Sequence, residues 1–126
     1  MKRTGIEFES KTNFYKDGQG NYWVAGMLDG LHRFTMNDGK IIDCKLYQNN
    51  PSTIKGLNFN MLCGMVDDPI EPEKYIWIAT RGGGLNKLNK ITETFEYFGE
   101  KDGLASNIVL GILSDHMGCL WLSTNK

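Results

Sequence analysis

The sequence predicts an all-β chain assembled from repeated four-stranded units, and three observations carry that expectation. Trp23, Trp77 and Trp121 each sit at the centre of a short apolar segment: Asn21-Tyr22-Trp23-Val24-Ala25, Tyr75-Ile76-Trp77-Ile78-Ala79-Thr80 and Cys119-Leu120-Trp121-Leu122-Ser123-Thr124. Their spacings, 77 − 23 = 54 and 121 − 77 = 44 residues, have the period of supersecondary units that bury an apolar face by stacking on copies of themselves. The neighbours repeat too. Asp17 and Asp115 lie six residues before their tryptophans, and Gly30-Leu31 and Gly84-Leu85 lie seven and eight after theirs.

The elements follow in order. Thr12-Asn13-Phe14-Tyr15-Lys16 is a short β-favouring run, and Asp17-Gly18-Gln19-Gly20 is a turn, because Asp bonds its own backbone and Gly accepts positive φ. The Trp23 strand comes next, then a strand beginning at Gly30-Leu31, then Ile41-Ile42-Asp43-Cys44-Lys45-Leu46-Tyr47, which is rich in β-branched and aromatic residues. The second copy opens on Asn60 to Val66, a nearly continuous apolar run. It passes through Asp67-Asp68 and a longer polar loop, Pro69 to Lys74, which counts as a six-residue insertion before Tyr75. The Trp77 strand, the turn Gly82-Gly83-Gly84, a Leu85 strand and Thr94-Phe95-Glu96-Tyr97-Phe98 complete it. Ile108 to Leu113 has a periodicity that a helix would also satisfy. The repeat decides for a strand, since the matching first-copy segment is too short and too β-favouring to be helical. Asp115-His116-Met117-Gly118 then turns into the Trp121 strand.

Each copy is thus a buried run, a Trp strand, a Gly-Leu strand and an aromatic outer strand, which is one propeller blade. The expectation is a β-propeller fragment of about two and a half four-stranded antiparallel blades. Residues 1–10 are a lead-in, 11–47 and 59–98 are blades, and 107–126 are half a blade. A closed ring needs at least about four blades, so the open edges call for further blades or for self-association.

Composition narrows the function. With 14 basic and 15 acidic residues and a formal charge of −1, the chain has no basic stripe for a phosphate backbone, so no nucleic-acid partner is expected. No apolar run approaches the length that spans a bilayer, so no membrane contact is expected, and Met1 to Glu7 lacks the apolar core of a secretory signal. Cys44, Cys63 and Cys119 lack metal-ligand spacing and read as small buried apolar side chains. No cofactor and no metal site are expected: Asp17, Asp67 and Asp115 lack the run of a calcium loop and read as turn residues.

The set Leu104-Ala105-Ser106-Asn107-Ile108-Val109, Ile112, Asp115, Gly118 and Leu120-Trp121-Leu122-Ser123-Thr124, with Gly83-Gly84-Leu85-Asn86-Lys87-Leu88 and Phe95-Glu96-Tyr97 of the middle copy, resembles the two-component regulator propeller repeat. The first copy departs from it in having Gly26 where the repeat usually has Thr and only Gly30 of the glycine pair. The resemblance implies a periplasmic sensor region of a hybrid histidine kinase that responds to an oligosaccharide or other small ligand and performs no catalysis in this segment.

Candidate site residues follow from where loops cluster. Arg81 projects from the loop between second and third strands, on the face that carries the connections between blades. Asn49, Asn50, Lys55, Asp102, Ser106 and Asn107 lie in those connections. They are the ligand-binding candidates, although Asn107 recurs as Asn60 at the matching place, a sign of a structural role. Trp23, Trp77, Trp121, Asp17, Asp115, Gly83 and Gly84 are blade markers, because their repetition is the signature of packing between blades. Arg81-Gly82-Gly83-Gly84 is not a phosphate cradle, since it joins two strands rather than opening a helix. His32 and His116 have no evident catalytic partner. A propeller lyase with a channel histidine and a protein-docking scaffold are the competing readings.

Overall fold

In the computed structural model of the chain, residues 13–26, 30–49 and 56–125 are described. Ten strands form among them: β1 Asn13–Lys16, β2 Asn21–Ala25, β3 Leu31–Asn37, β4 Lys40–Tyr47, β5 Leu62–Asp67, β6 Tyr75–Thr80, β7 Leu85–Asn89, β8 Thr94–Phe98, β9 Val109–Ser114 and β10 Leu120–Thr124. They make two four-stranded antiparallel sheets in sequential order, β1-β2-β3-β4 and β5-β6-β7-β8, and a two-stranded sheet of β9 and β10. The fold is the all-β propeller fragment of two blades and half of a third that the repeat predicts. Val109 to Ser114 is a strand.

Blades stack through their first strands: β5 packs on β1 and β2, and β9 on β5 and β6. The core between the first two blades joins Trp23, Ala25 and Leu31 of one to Leu57, Leu62, Met65, Ile76, Ile78 and Leu88 of the next. A second core joins Ala79 and Leu85 to Val109 and Ile112, with Trp77, Phe98, Leu120 and Leu122 against it. Burying each such large side chain contributes about 1.5–3 kcal/mol, so the interfaces between sheets, not the sheets alone, hold the array together.

The blade markers turn out to be a hydrogen-bonded unit. Asp17 Oδ1 accepts the backbone N–H of Gln19 and Asn21, which closes the turn, while Oδ2 accepts the Trp23 indole N–H at 2.9 Å. Asp115 does the same for Met117, Cys119 and the Trp121 indole, at 2.7 Å for the last. In the middle blade Asp68, not Asp67, plays this part, capping Ile70 and Glu71 and accepting the Trp77 indole at 2.9 Å. The Asp-to-Trp separation is nine residues there against six elsewhere. The net insertion before Tyr75 is therefore three residues, a correction to the six expected, because Pro69 to Lys74 replace a three-residue turn. The third strand of each full blade sets a cation over the tryptophan ring, with Trp23 paired to Arg33 and Trp77 to Lys87, each cation 5.1 Å from its ring centroid.

The cysteines differ from expectation. Cys44 and Cys119 are exposed and Cys63 is half-buried, and all three are free thiols. Cys44 lies on β4, the outer edge of its sheet, and Cys119 in the turn of the half blade, positions that no neighbouring sheet covers.

Candidate functional site

The loop between β6 and β7 is built by glycine. Thr80 Oγ1 accepts the Gly83 N–H and donates to the Gly84 carbonyl, which closes a tight turn. Gly84 has φ 74, and a Cβ there would overlap the Phe98 carbonyl. Gly30, with φ 91, stands in the same relation to the Tyr47 carbonyl, so both blades need glycine where the third strand starts beside the end of the fourth. Gly26 cannot supply the hydroxyl that Thr80 supplies, although its N–H still reaches the Gly30 carbonyl as that of Thr80 reaches Gly84. The rest of that first-copy turn lies outside the described residues.

Two connections between blades close on this loop. From the N-terminal side, the Phe59 ring sits where a side chain on Gly82 would be, and Asn58 lies against Gly83. Asn58 is fixed from below by the buried Asn86, whose carboxamide exchanges bonds with it at 2.8 and 3.0 Å, and it donates to the Gly83 carbonyl. From the C-terminal side, the Asn107 carbonyl accepts the N–H groups of Gly82 and Gly84. Between these segments lies an open cleft of about 430 Å³, lined by Asn58, Phe59, Gly82, Gly83, Tyr97, Phe98, Gly99, Glu100, Lys101 and Asn107. The volume is in the range of small-molecule sites. Burial pushes the Tyr97 phenol up, so it stays a neutral donor, and it bonds the Gly56 carbonyl.

The predicted site residues divide on this frame. Asn107 lines the cleft, and its Oδ1 accepts the Glu100 N–H while Glu100 accepts the Asn107 N–H. Asn60 performs the matching task for Asn49 N–H one blade earlier, so these asparagines fasten the segment leaving each outer strand. Asp102 accepts the Gly99 N–H. Ser106 is 3% exposed and bonds Asn125 and Ile108, which makes it a structural residue. Arg81 is exposed beside the cleft without lining it; its backbone bridges to Ile108 and its N–H to Met61. Asn50 and Lys55 lie outside the described residues. Phe59, Tyr97, Glu100 and Lys101 were not singled out in the sequence; the only signal was their place at the ends of the connections that flank the glycine loop.

The opposite end of the first blade pair carries a smaller cleft of about 200 Å³ that includes Asn21, Arg33, Lys45, Lys90 and Glu93. Its cations are engaged within the protein. Lys45 pairs with Glu93 at 2.8 Å, and Arg33 donates to Asn21 and the Lys90 carbonyl. Lys90 itself is 4% exposed. Its ammonium meets Asp17 Oδ2 of the first blade at 2.9 Å and Asp67 Oδ1 of its own at 2.7 Å, with the Gln19 side chain and Pro72 carbonyl also in reach. Tyr15 donates to Asp67, and burial together with that bond pushes its phenol up to about 12. This end is a structural latch between blades.

No protein-family model and no curated protein matches the chain. Solved structures do. The extracellular domain of the hybrid two-component system BT3049 from B. thetaiotaomicron matches with a TM-score of 0.79 at 20% identity, over 94% of this chain and 16% of that one. The extracellular domain of BT4673 from the same organism matches in two structures, named as a hybrid two-component system in one and a one-component system in the other. Their TM-scores are 0.67 and 0.66 at 29% identity, over 88% of this chain and 14% and 15% of theirs. The chain thus spans less than a fifth of the length of these relatives. The resemblance read from the tryptophan-centred repeat is borne out: the chain has the fold of these extracellular domains of two-component system proteins and is similar in sequence to one of them.

Proposed function

We propose that the chain is a ligand-sensing segment of the extracytoplasmic, periplasmic region of a hybrid two-component signalling protein, that it binds rather than catalyses, and that the ligand is an oligosaccharide. The observation that carries the sensor reading is the likeness, at 29% identity over 88% of the chain, to an extracellular domain of a two-component system. Binding is favoured over catalysis by the placement of the two histidines: His32 is on β3 of the first blade and His116 in the turn of the half blade, on separate sheets. Neither histidine lines the cleft between the connections.

Oligosaccharide is favoured by the face that carries the connections between blades, where aromatic rings and amides share one cleft. Titration calorimetry of the chain against neutral oligosaccharides and against unrelated peptides tests this. Heat of binding to a saccharide alone is the expected result; binding to peptide alone contradicts it and favours a docking scaffold.

A further inference from the structure

The hydrogen bonds around the cleft show which groups are left to meet a ligand. The backbone there is already paired: Gly82 N–H with the Asn107 carbonyl, Gly83 N–H with Thr80 Oγ1, the Gly83 carbonyl with Asn58. These three groups are therefore not offered to a ligand's main chain. Asn58 is likewise committed to Asn86 and Gly83. Among the described side chains that line the cleft, three polar atoms carry no hydrogen bond: the Lys101 ammonium, Glu100 Oε1, whose partner oxygen holds Asn107 N–H, and Asn107 Nδ2. Beside them stand the Phe59 and Tyr97 rings, both half-buried and both held, Phe59 against Gly82 and Tyr97 by its bond to Gly56.

We infer that this cleft is a saccharide subsite, with Glu100 and Lys101 as the residues that read the sugar. The inference rests on the oligosaccharide reading above and assigns it a place. A sugar hydroxyl both donates and accepts, so it can be met by a carboxylate oxygen and an ammonium in one cleft, which Glu100 and Lys101 provide as lining residues. The C–H face of a pyranose is apolar and suits a fixed aromatic ring. A free anion suits the site less well, because Glu100 stands next to the only lysine that lines it. Glu100 and Lys101 are exposed, and neither belongs to a core cluster; Lys101→Ala removes no bond of the fold, and Glu100→Gln keeps a carbonyl oxygen to accept the Asn107 N–H.

The test is backbone amide NMR of the chain titrated with cellobiose, xylobiose and N,N′-diacetylchitobiose. At least one disaccharide should shift the amides of Phe59, Gly82, Gly83 and 99–101. Lys101→Ala and Glu100→Gln should each weaken that disaccharide about tenfold, the size of one lost charge-assisted hydrogen bond. Lys40→Ala, at the start of β4 in the first blade, should leave it unchanged. A disaccharide that binds with shifts elsewhere, or equally well in both variants, overturns this assignment and leaves the oligosaccharide reading standing. No binding by any disaccharide, together with no calorimetric response to longer oligosaccharides, overturns the reading on which it rests.

Discussion

At the scale of the residue, the chain repeats an aspartate that does two things at once. One carboxylate oxygen closes a turn and the other accepts an indole N–H, and this is seen at Asp17, Asp68 and Asp115. Burial alone would push the Asp17 carboxyl up. The Trp23 indole, the Lys90 ammonium and the Asn21 N–H together outweigh it and hold the carboxyl below its ordinary value. Since the folded value lies below the unfolded one, near 3.9, the charged form adds stability above that pH and the contribution is lost as pH falls through the folded value.

Trp23→Phe keeps the buried ring and removes the donor. It should cost about 1–3 kcal/mol in urea unfolding at neutral pH, and acid unfolding should begin at a higher pH than in the wild type. An unchanged acid midpoint would show that the indole bond does not hold the carboxyl. The turn role of these aspartates was legible from Asp and Gly offsets. The indole role was not, because a six-residue offset says nothing of a second lone pair. The nine-residue offset at Asp68 hid the equivalence, so that Asp67 beside it was read as the turn residue.

At the scale of the element, all ten strands were legible because alternation, β-branched residues and glycine punctuation agreed with a repeat. Val109 to Ser114 shows the value of that agreement: alone it is ambiguous, and only its place in the array makes it a strand. What the pattern could not supply were contacts between elements distant in sequence. The glycine turn is an example. Gly84 was legible as a turn residue, but its nearness to the Phe98 carbonyl comes from the outer strand ending beside the start of the third.

Gly84→Ala should therefore destabilise by at least the roughly 1–3 kcal/mol of a left-handed non-glycine residue, with more for the displaced carbonyl. Gly111→Ala, whose new methyl would meet only Ser123 Cβ at 3.7 Å, should be nearly neutral in the same denaturant titration. Equal losses at the two sites would contradict the geometry. The cleft was only partly legible for the same reason. Asn107 could be chosen from its place in a connection between blades, whereas Phe59 and Lys101 line one cleft although they are 42 residues apart in the chain.

At the scale of the whole molecule, two kinds of interface join the blades. The first adds the latch of Asp17, Lys90 and Asp67 to an apolar core; Lys90 and Asp17 stand 73 residues apart, and no sequence pattern links them. Lys90→Met leaves the buried carboxylate of Asp17 and the half-buried one of Asp67 without their cation and should cost about 3–5 kcal/mol. A double-mutant cycle with Asp17→Asn should show coupling, and strict additivity would mean that the pair does not act together. The second face, on the half blade, is open. Trp121 is 64% exposed where Trp23 is wholly buried. Acrylamide should quench a variant retaining only Trp121 far more than one retaining only Trp23, unless self-association covers the open face.

Such a face suits a segment that continues an array, in keeping with relatives several times its length. The sensing claim is tested most directly in the intact signalling protein that carries the chain, by following its phosphorylation as oligosaccharides are added. The account predicts a saccharide-dependent change in phosphorylation that Lys101→Ala or Glu100→Gln reduces. Phosphorylation that no oligosaccharide alters would contradict it.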